Sequence, residues 1–164
     1  MLFKKFFILI FLVLFSFNAT ANTPRSTGKY KNWESFTVQT DKGKICFAQT
    51  IPTKRAPASI KREKSKLFVT FRPSENIKDE VSMTSGHDYK SSTVTASSGK
   101  KRYSFFSQKN FAWLLDDQEE RGFIKTMKRA TNVIVKARTT KGAETTDHYS
   151  MMGFTKAYNT AKKT

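Results

Sequence analysis

The chain has 164 residues, with 30 Lys or Arg against 13 Asp or Glu and a formal net charge of +17. One cysteine, Cys46, excludes an internal disulfide and a cysteine-rich zinc cage. No G-x-x-x-x-G-K-[ST], G-x-G-x-x-G or G-x-S-x-G pattern occurs, which removes the P-loop, the dinucleotide fold and the nucleophile elbow from the candidate chemistries.

The chain opens with Lys4-Lys5, an apolar run from Phe6 to Phe15, and Asn18-Ala19-Thr20-Ala21. Early positive charge, a short greasy core and small residues spaced A-x-A predict a secretory signal peptide over 1–21, cleaved after Ala21. The run is shorter than the roughly 20 apolar residues that span a bilayer, so no transmembrane segment is expected after cleavage; an uncleaved anchor is the competing reading. No cysteine follows Ala21 within the next residues, so a lipid anchor is not expected. Removing two lysines and no acid takes the charge from +17 to +15. Such a one-signed field attracts nucleic acid, anionic lipid or lipopolysaccharide without choosing among them. Lysine supplies 22 of the 30 basic residues, whereas arginine is the residue that grips phosphate with two parallel bonds, so a diffusely solvated basic surface remains the alternative to a dedicated site.

Residues 22–32 read as an exposed N-terminal segment ahead of one domain, 33–164. Short runs rich in β-branched and aromatic residues then recur between turn signals: 33–39, 45–49, 66–72, 80–84, 92–96, 103–107, 131–139 and 146–152. Asp41-Lys42-Gly43, Arg72-Pro73-Ser74, Ser97-Ser98-Gly99-Lys100 and Lys141-Gly142 supply turn chemistry between them. This spacing predicts a mainly β domain, a sandwich or barrel rather than a parallel α/β sheet. Cys46 falls within the second run and is expected to be buried, unpaired and inert.

Residues 52–66 differ in character. Pro52 and Pro57 deny regular structure at the start, and Lys54, Arg55, Lys61, Arg62, Lys64 and Lys66 outnumber Glu63. This stretch is expected to be an exposed connection and, with Lys100, Lys101 and Arg102, to hold the candidate contacts for a polyanion. Interleaved aromatics in Tyr103-Ser104-Phe105-Phe106 suggest a stacking platform, but strand alternation sends Tyr103 and Phe105 one way and Phe106 the other.

Two helices are predicted. Over 117–129, Asp116 or Asp117 caps, Glu119 and Glu120 suit the positive end of the dipole, and Phe123, Ile124 and Met127 form a narrow apolar face. Near 154–162, Phe154, Ala157, Tyr158 and Ala161 fall at i, i+3, i+4 and i+7.

Between the helices, Asp147-His148-Tyr149-Ser150 places triad-type residues side by side. On one strand, Asp147 and Tyr149 share a face while His148 and Ser150 take the other, so the carboxylate does not orient the imidazole and no catalytic residue is expected. A metal site would need His87 and Asp88 to meet His148 and Asp147, without any ligand spacing to support it. No cofactor is implied. Asp147 is expected at a strand start, with Tyr149 and Met151 buried.

The ordered series Leu67-Phe68-Val69-Thr70-Phe71-Arg72-Pro73, Glu80-Val81-Ser82 followed by Gly86, Phe111-Ala112-Trp113, Met127-Lys128, Ala137-Arg138, Lys141-Gly142 and Asp147-His148-Tyr149-Ser150-Met151-Met152-Gly153-Phe154 resembles the invasion associated locus B family of exported bacterial proteins. The resemblance runs from about Trp33 to Ala161. It implies an immunoglobulin-like β-sandwich in the periplasm or cell envelope of a Gram-negative bacterium, with no established enzymatic activity and no catalytic residues to carry over. Relatives often carry a second cysteine near the C-terminus, where this chain ends Ala161-Lys162-Lys163-Thr164. His87 and His148 stand where the family more often has an aromatic residue and a threonine. The expectation is therefore a periplasmic or secreted, non-catalytic binding or structural module, its partner an envelope protein or an anionic envelope component. The alternative is a polyanion binder working through its basic surface.

Overall fold

The computed structural model describes residues 23–164; the expected signal peptide lies outside the described residues. Eleven strands form one antiparallel, continuously hydrogen-bonded sheet. They are β1 (Arg25–Tyr30), β2 (Trp33–Thr40), β3 (Gly43–Thr50), β4 (Lys54–Ala56), β5 (Lys66–Arg72), β6 (Ile77–Thr84), β7 (Val94–Ser98), β8 (Lys101–Gln108), β9 (Phe111–Trp113), β10 (Asn132–Arg138) and β11 (Glu144–Ser150). Their spatial order is β1-β2-β3-β5-β6-β9-β8-β7-β10-β11-β4. Helices α1 (Asp117–Arg129) and α2 (Phe154–Lys163) complete the fold.

The sheet folds over at β8. Residues up to Phe105 pair with β7, and from Phe106 onward they pair with β9, so a single strand serves both halves. This is how one strand turns a corner between packed layers. Inward residues of the first half, Trp33, Ala48, Leu67, Val69, Val81 and Met83, and of the second half, Val94, Ala96, Phe105, Val133, Val135 and Tyr149, belong to one buried cluster. Alternation along each strand makes this possible: Val133, Val135 and Ala137 are buried while Asn132, Lys136 and Arg138 are exposed.

Both helices lean on this core. Asp116 caps α1 by accepting hydrogen bonds from the amides of Gln118 and Glu119 at 2.8 and 2.9 Å. Phe123 then packs against Tyr103 and Phe105, with ring centroids 4.8 and 5.7 Å away. Helix α2 buries the four residues expected of it, with Phe154 against Trp33 and Tyr158 against Phe71. Gly153 begins α2 at φ 95°, and a Cβ there would lie 1.8 Å from the Tyr30 carbonyl oxygen. Only glycine lets the two backbones approach so closely.

Three expectations need correction. The segment expected to lie exposed ahead of the domain is, over its described part, mostly exposed but built into the sheet: residues 25–30 are β1, paired with β2, and Tyr30 shares a 2.8 Å hydroxyl–hydroxyl hydrogen bond with Thr160 of α2. The stretch 52–66 is not an irregular connection throughout, because β4 covers the edge of β11 in the register Asp147↔Arg55. Asp147 is not at a strand start but in the middle of β11, buried.

Candidate functional site

The residues expected to meet a polyanion are divided by the fold. Arg62 is withdrawn from solvent: its side chain is 2% exposed and that of Asp147 is 1% exposed. Arg62 donates two parallel hydrogen bonds to the carboxylate, Nη2 to Oδ1 at 2.6 Å and Nη1 to Oδ2 at 2.9 Å. Nη1 also donates to the Ser85 carbonyl at 3.0 Å. A buried charge needs this degree of pairing, since an isolated one would be too costly to desolvate. Arg62 is thus corrected from a ligand contact to an anchor, the point at which the basic stretch is tied to β11 and to the end of β6.

The anchor sets the direction of its neighbours. Glu63 donates its amide to the Gly86 carbonyl at 2.9 Å, and Arg55 donates to the Glu63 carbonyl, so the stretch returns across the end of β6 rather than waving in solvent. Arg55, Lys64 and Lys66 then line one depression of 350 Å³. Gln49, Ile51 and Pro52 supply the rest of its wall with Ser65. Arg62 neutralises Asp147, and Arg55, with its Nε 3.9 Å from Asp147 Oδ1, is left as surplus positive charge. Arg55 Nε is buried and has no hydrogen-bond acceptor among the described residues. A concave seat walled by three cations suits an anionic group; its apolar wall suits an amphiphile.

Lys54 stands on the outward side of β4, opposite His148, and Lys61 is exposed. Lys100, Lys101 and Arg102 sit at the β7–β8 turn. β7, β10 and β11 separate β8 from β4, roughly 19 Å across the sheet at strand spacing, so the two basic groups are not one site. Arg102 instead joins Lys136 and Arg138, two cations that sequence reasoning missed, around a smaller depression of 310 Å³. Lys136 Nζ lies 3.2 Å and Arg138 Nη2 3.9 Å from the carboxylate of Glu144, so this second basic face is partly answered from within. Strand alternation in 132–138 was the signal that could have found it.

The triad-type residues behave as their strand dictates. Asp147 and Tyr149 face inward, and His148 and Ser150 face outward. Tyr89 donates to Ser85 Oγ at 3.0 Å, and burial pushes its phenol up to about 12. Tyr149 is fully buried with its hydroxyl unpartnered among the described residues, and burial raises its pKa well above the usual value. His87 Nε2 is 2.9 Å from Thr145 Oγ1, on the inward side of β11, while His148 faces away from it. The histidines are not brought together, and among the described residues no group of three or more His, Cys, Asp or Glu converges as a metal cage. No helix among the described residues is long and apolar enough to cross a membrane.

A further cleft of 570 Å³ lies between β6, β9 and the start of α1, lined in part by Asp79, Glu80, Asp117 and Glu120. Its acids are engaged within the protein: Asp79 accepts from Tyr158 at 2.6 Å, Glu80 pairs with Arg72, and Glu120 accepts the Val81 amide at 2.9 Å. Burial raises the Glu120 carboxyl to about 7, against the lowering effect of that amide. Lys78 and Arg121 also line this cleft, so it mixes both signs of charge, unlike the cationic seat at Arg55.

Comparisons with protein-family models, with curated proteins and with solved structures gave no match.

Proposed function

We propose that the chain is an exported, non-catalytic binding module of the invasion associated locus B type, an immunoglobulin-like sandwich that holds an anionic component of the bacterial envelope. The observation that carries the reading is the Arg62–Asp147 pair, which ties down the basic stretch and leaves Arg55, Lys64 and Lys66 around one seat. The ordered motifs from Leu67 to Phe154 favour the family, and a core shared by two halves of a folded-over sheet favours a sandwich. The apolar run at 6–15 behind two lysines favours export to the periplasm or beyond.

The test is binding of polyphosphate and of a heparin fragment over a salt series, with Arg55→Glu, Lys64→Glu and Lys66→Glu combined. Arg62 is left intact, because its loss would unfold the stretch rather than probe it. The native protein should lose affinity steeply as salt rises, and the triple reversal should abolish binding. Unchanged affinity in the reversed protein overturns the assignment of the seat. An envelope protein retained from extracts through a physiological-salt wash, with no polyanion bound, would favour a protein-binding module instead.

A further inference from the structure

The outward face of the first half of the sheet carries aromatics in register from strand to strand. Phe36 on β2 stands opposite Phe47 on β3, with centroids 5.2 Å apart, and Phe47 lies 6.3 Å from Phe68 on β5. Phe68 stands opposite Ser82, and Ser82 opposite Trp113. Trp113 stacks on Phe111 at 5.8 Å and pairs with Phe106 across β8–β9. Phe106 is 52% exposed, and Leu115, just beyond β9, is 74% exposed. Phe36, Phe47, Phe68 and Trp113 are partly buried by one another and Phe111 is exposed, and the core lies on the other face of these strands, so the row is not part of it.

Ring orientation narrows what the row meets. Phe36 and Phe47 are inclined by 16°, and Phe111 and Trp113 by 21°, at separations too short for rings lying side by side. Each pair is therefore stacked on itself and turns ring edges outward. Stacking takes up one face of each of these four rings, which leaves less ring face for a base or a sugar, whereas a hydrocarbon surface needs only apolar area.

Charge narrows it further. Of the acids on this face, Glu80 is neutralised by Arg72, while Glu34 accepts a hydrogen bond from Ser26 at 2.6 Å and keeps its charge on β2, outside the lining of the seat. Lys66 remains, its Nζ 5.9 Å from the centre of the Phe68 ring, and Lys66 is also a wall of the anion seat. Gln49, another wall, stands directly opposite Phe68. Cationic seat and aromatic row are thus one surface, joined at Lys66 and Gln49. A second copy of this chain, itself strongly positive, is a poor match for it; an anionic bilayer complements both parts.

We propose that the seat at Arg55, Lys64 and Lys66 takes the headgroup of an anionic lipid while the row from Phe36 to Phe106 lies against the bilayer surface. This rests on the anion-binding reading given above and adds the source of the anion.

The two tryptophans make the test specific, since Trp33 is fully buried and Trp113 is on the row. The exported protein, purified after processing, is mixed with phosphatidylcholine vesicles with or without phosphatidylglycerol, their acyl chains brominated to quench fluorescence. Quenching should occur only with phosphatidylglycerol and vanish in Trp113→Phe. Affinity should fall about fivefold per cation on changing Lys64 and Lys66 to alanine. It should also fall in Phe106→Ser combined with Phe111→Ser. Polyphosphate bound while vesicles are ignored would overturn the lipid and leave the anion seat standing. Neither bound would overturn both. Vesicles bound without quenching of Trp113, or Trp113 shielded in a lipid-free dimer, would overturn the row as a membrane face.

Discussion

Arg62 and Asp147 are 85 positions apart and close a bidentate ion pair that is almost wholly withdrawn from water. Replacing Asp147 with Asn leaves Arg62 buried without a counter-charge, and replacing Arg62 with Met takes from Asp147 its bidentate partner and leaves it only the longer contact with Arg55 at 3.9 Å. Each should lower stability by about 3–5 kcal/mol in urea unfolding. The double replacement by apolar residues should recover much of that loss, because the desolvation of both charges is removed together.

Gly153→Ala places a side chain at φ 95° and its Cβ against the Tyr30 carbonyl. The left-handed backbone alone costs about 1–2 kcal/mol, and the collision forces β1 and α2 apart in addition. Hydrogen exchange should accelerate in 25–30 and 154–163 ahead of the rest of the protein.

Glu120 gives a pH dependence with a definite sign. Its carboxyl, 4.5 when free, is raised to about 7 in the fold by burial. The stabilisation tied to the protonated form is fully present below pH 4.5 and is lost as pH rises through about 7. Urea midpoints should therefore fall across that window relative to Glu120→Gln, by about 3 kcal/mol in free energy. Gln keeps an acceptor for the Val81 amide, so a flat difference between the two proteins would refute the assignment.

Cys46 is 2% exposed, with Thr37 Oγ1 3.7 Å from its sulfur. Its thiol should resist a water-soluble disulfide reagent in native buffer and react fully in denaturant. Fast reaction of the native protein would mean that β3 opens locally.

Much of the fold was legible from residue order. Every predicted strand run coincides with an observed strand to within a few residues, 66–72 and the helix at 117–129 without any shift. Alternation named Tyr149 and Met151 as buried and sent Phe106 outward, away from Tyr103 and Phe105. The missed strands share a physical reason. β1 reads Arg-Ser-Thr-Gly-Lys-Tyr, and β4 and β9 have three residues each, so none carries a hydrophobic period long enough to register. They exist because neighbours already in place offer them open hydrogen-bonding edges.

The site divides along the same line. The sequence by itself determined the excess of positive charge, the concentration of basic residues in 54–66, and the alternation that separates Asp147 from His148. These are properties of composition and of a two-residue repeat, and need no knowledge of distant contacts. Which of those cations are free was decided only by the tertiary structure. Arg62 and Arg55 are both arginines in one basic stretch, yet one is buried against a carboxylate 85 positions away and the other is turned into a seat with Lys64 and Lys66. A formal charge is a local property, but whether it is neutralised depends on which strand the chain later lays beside it.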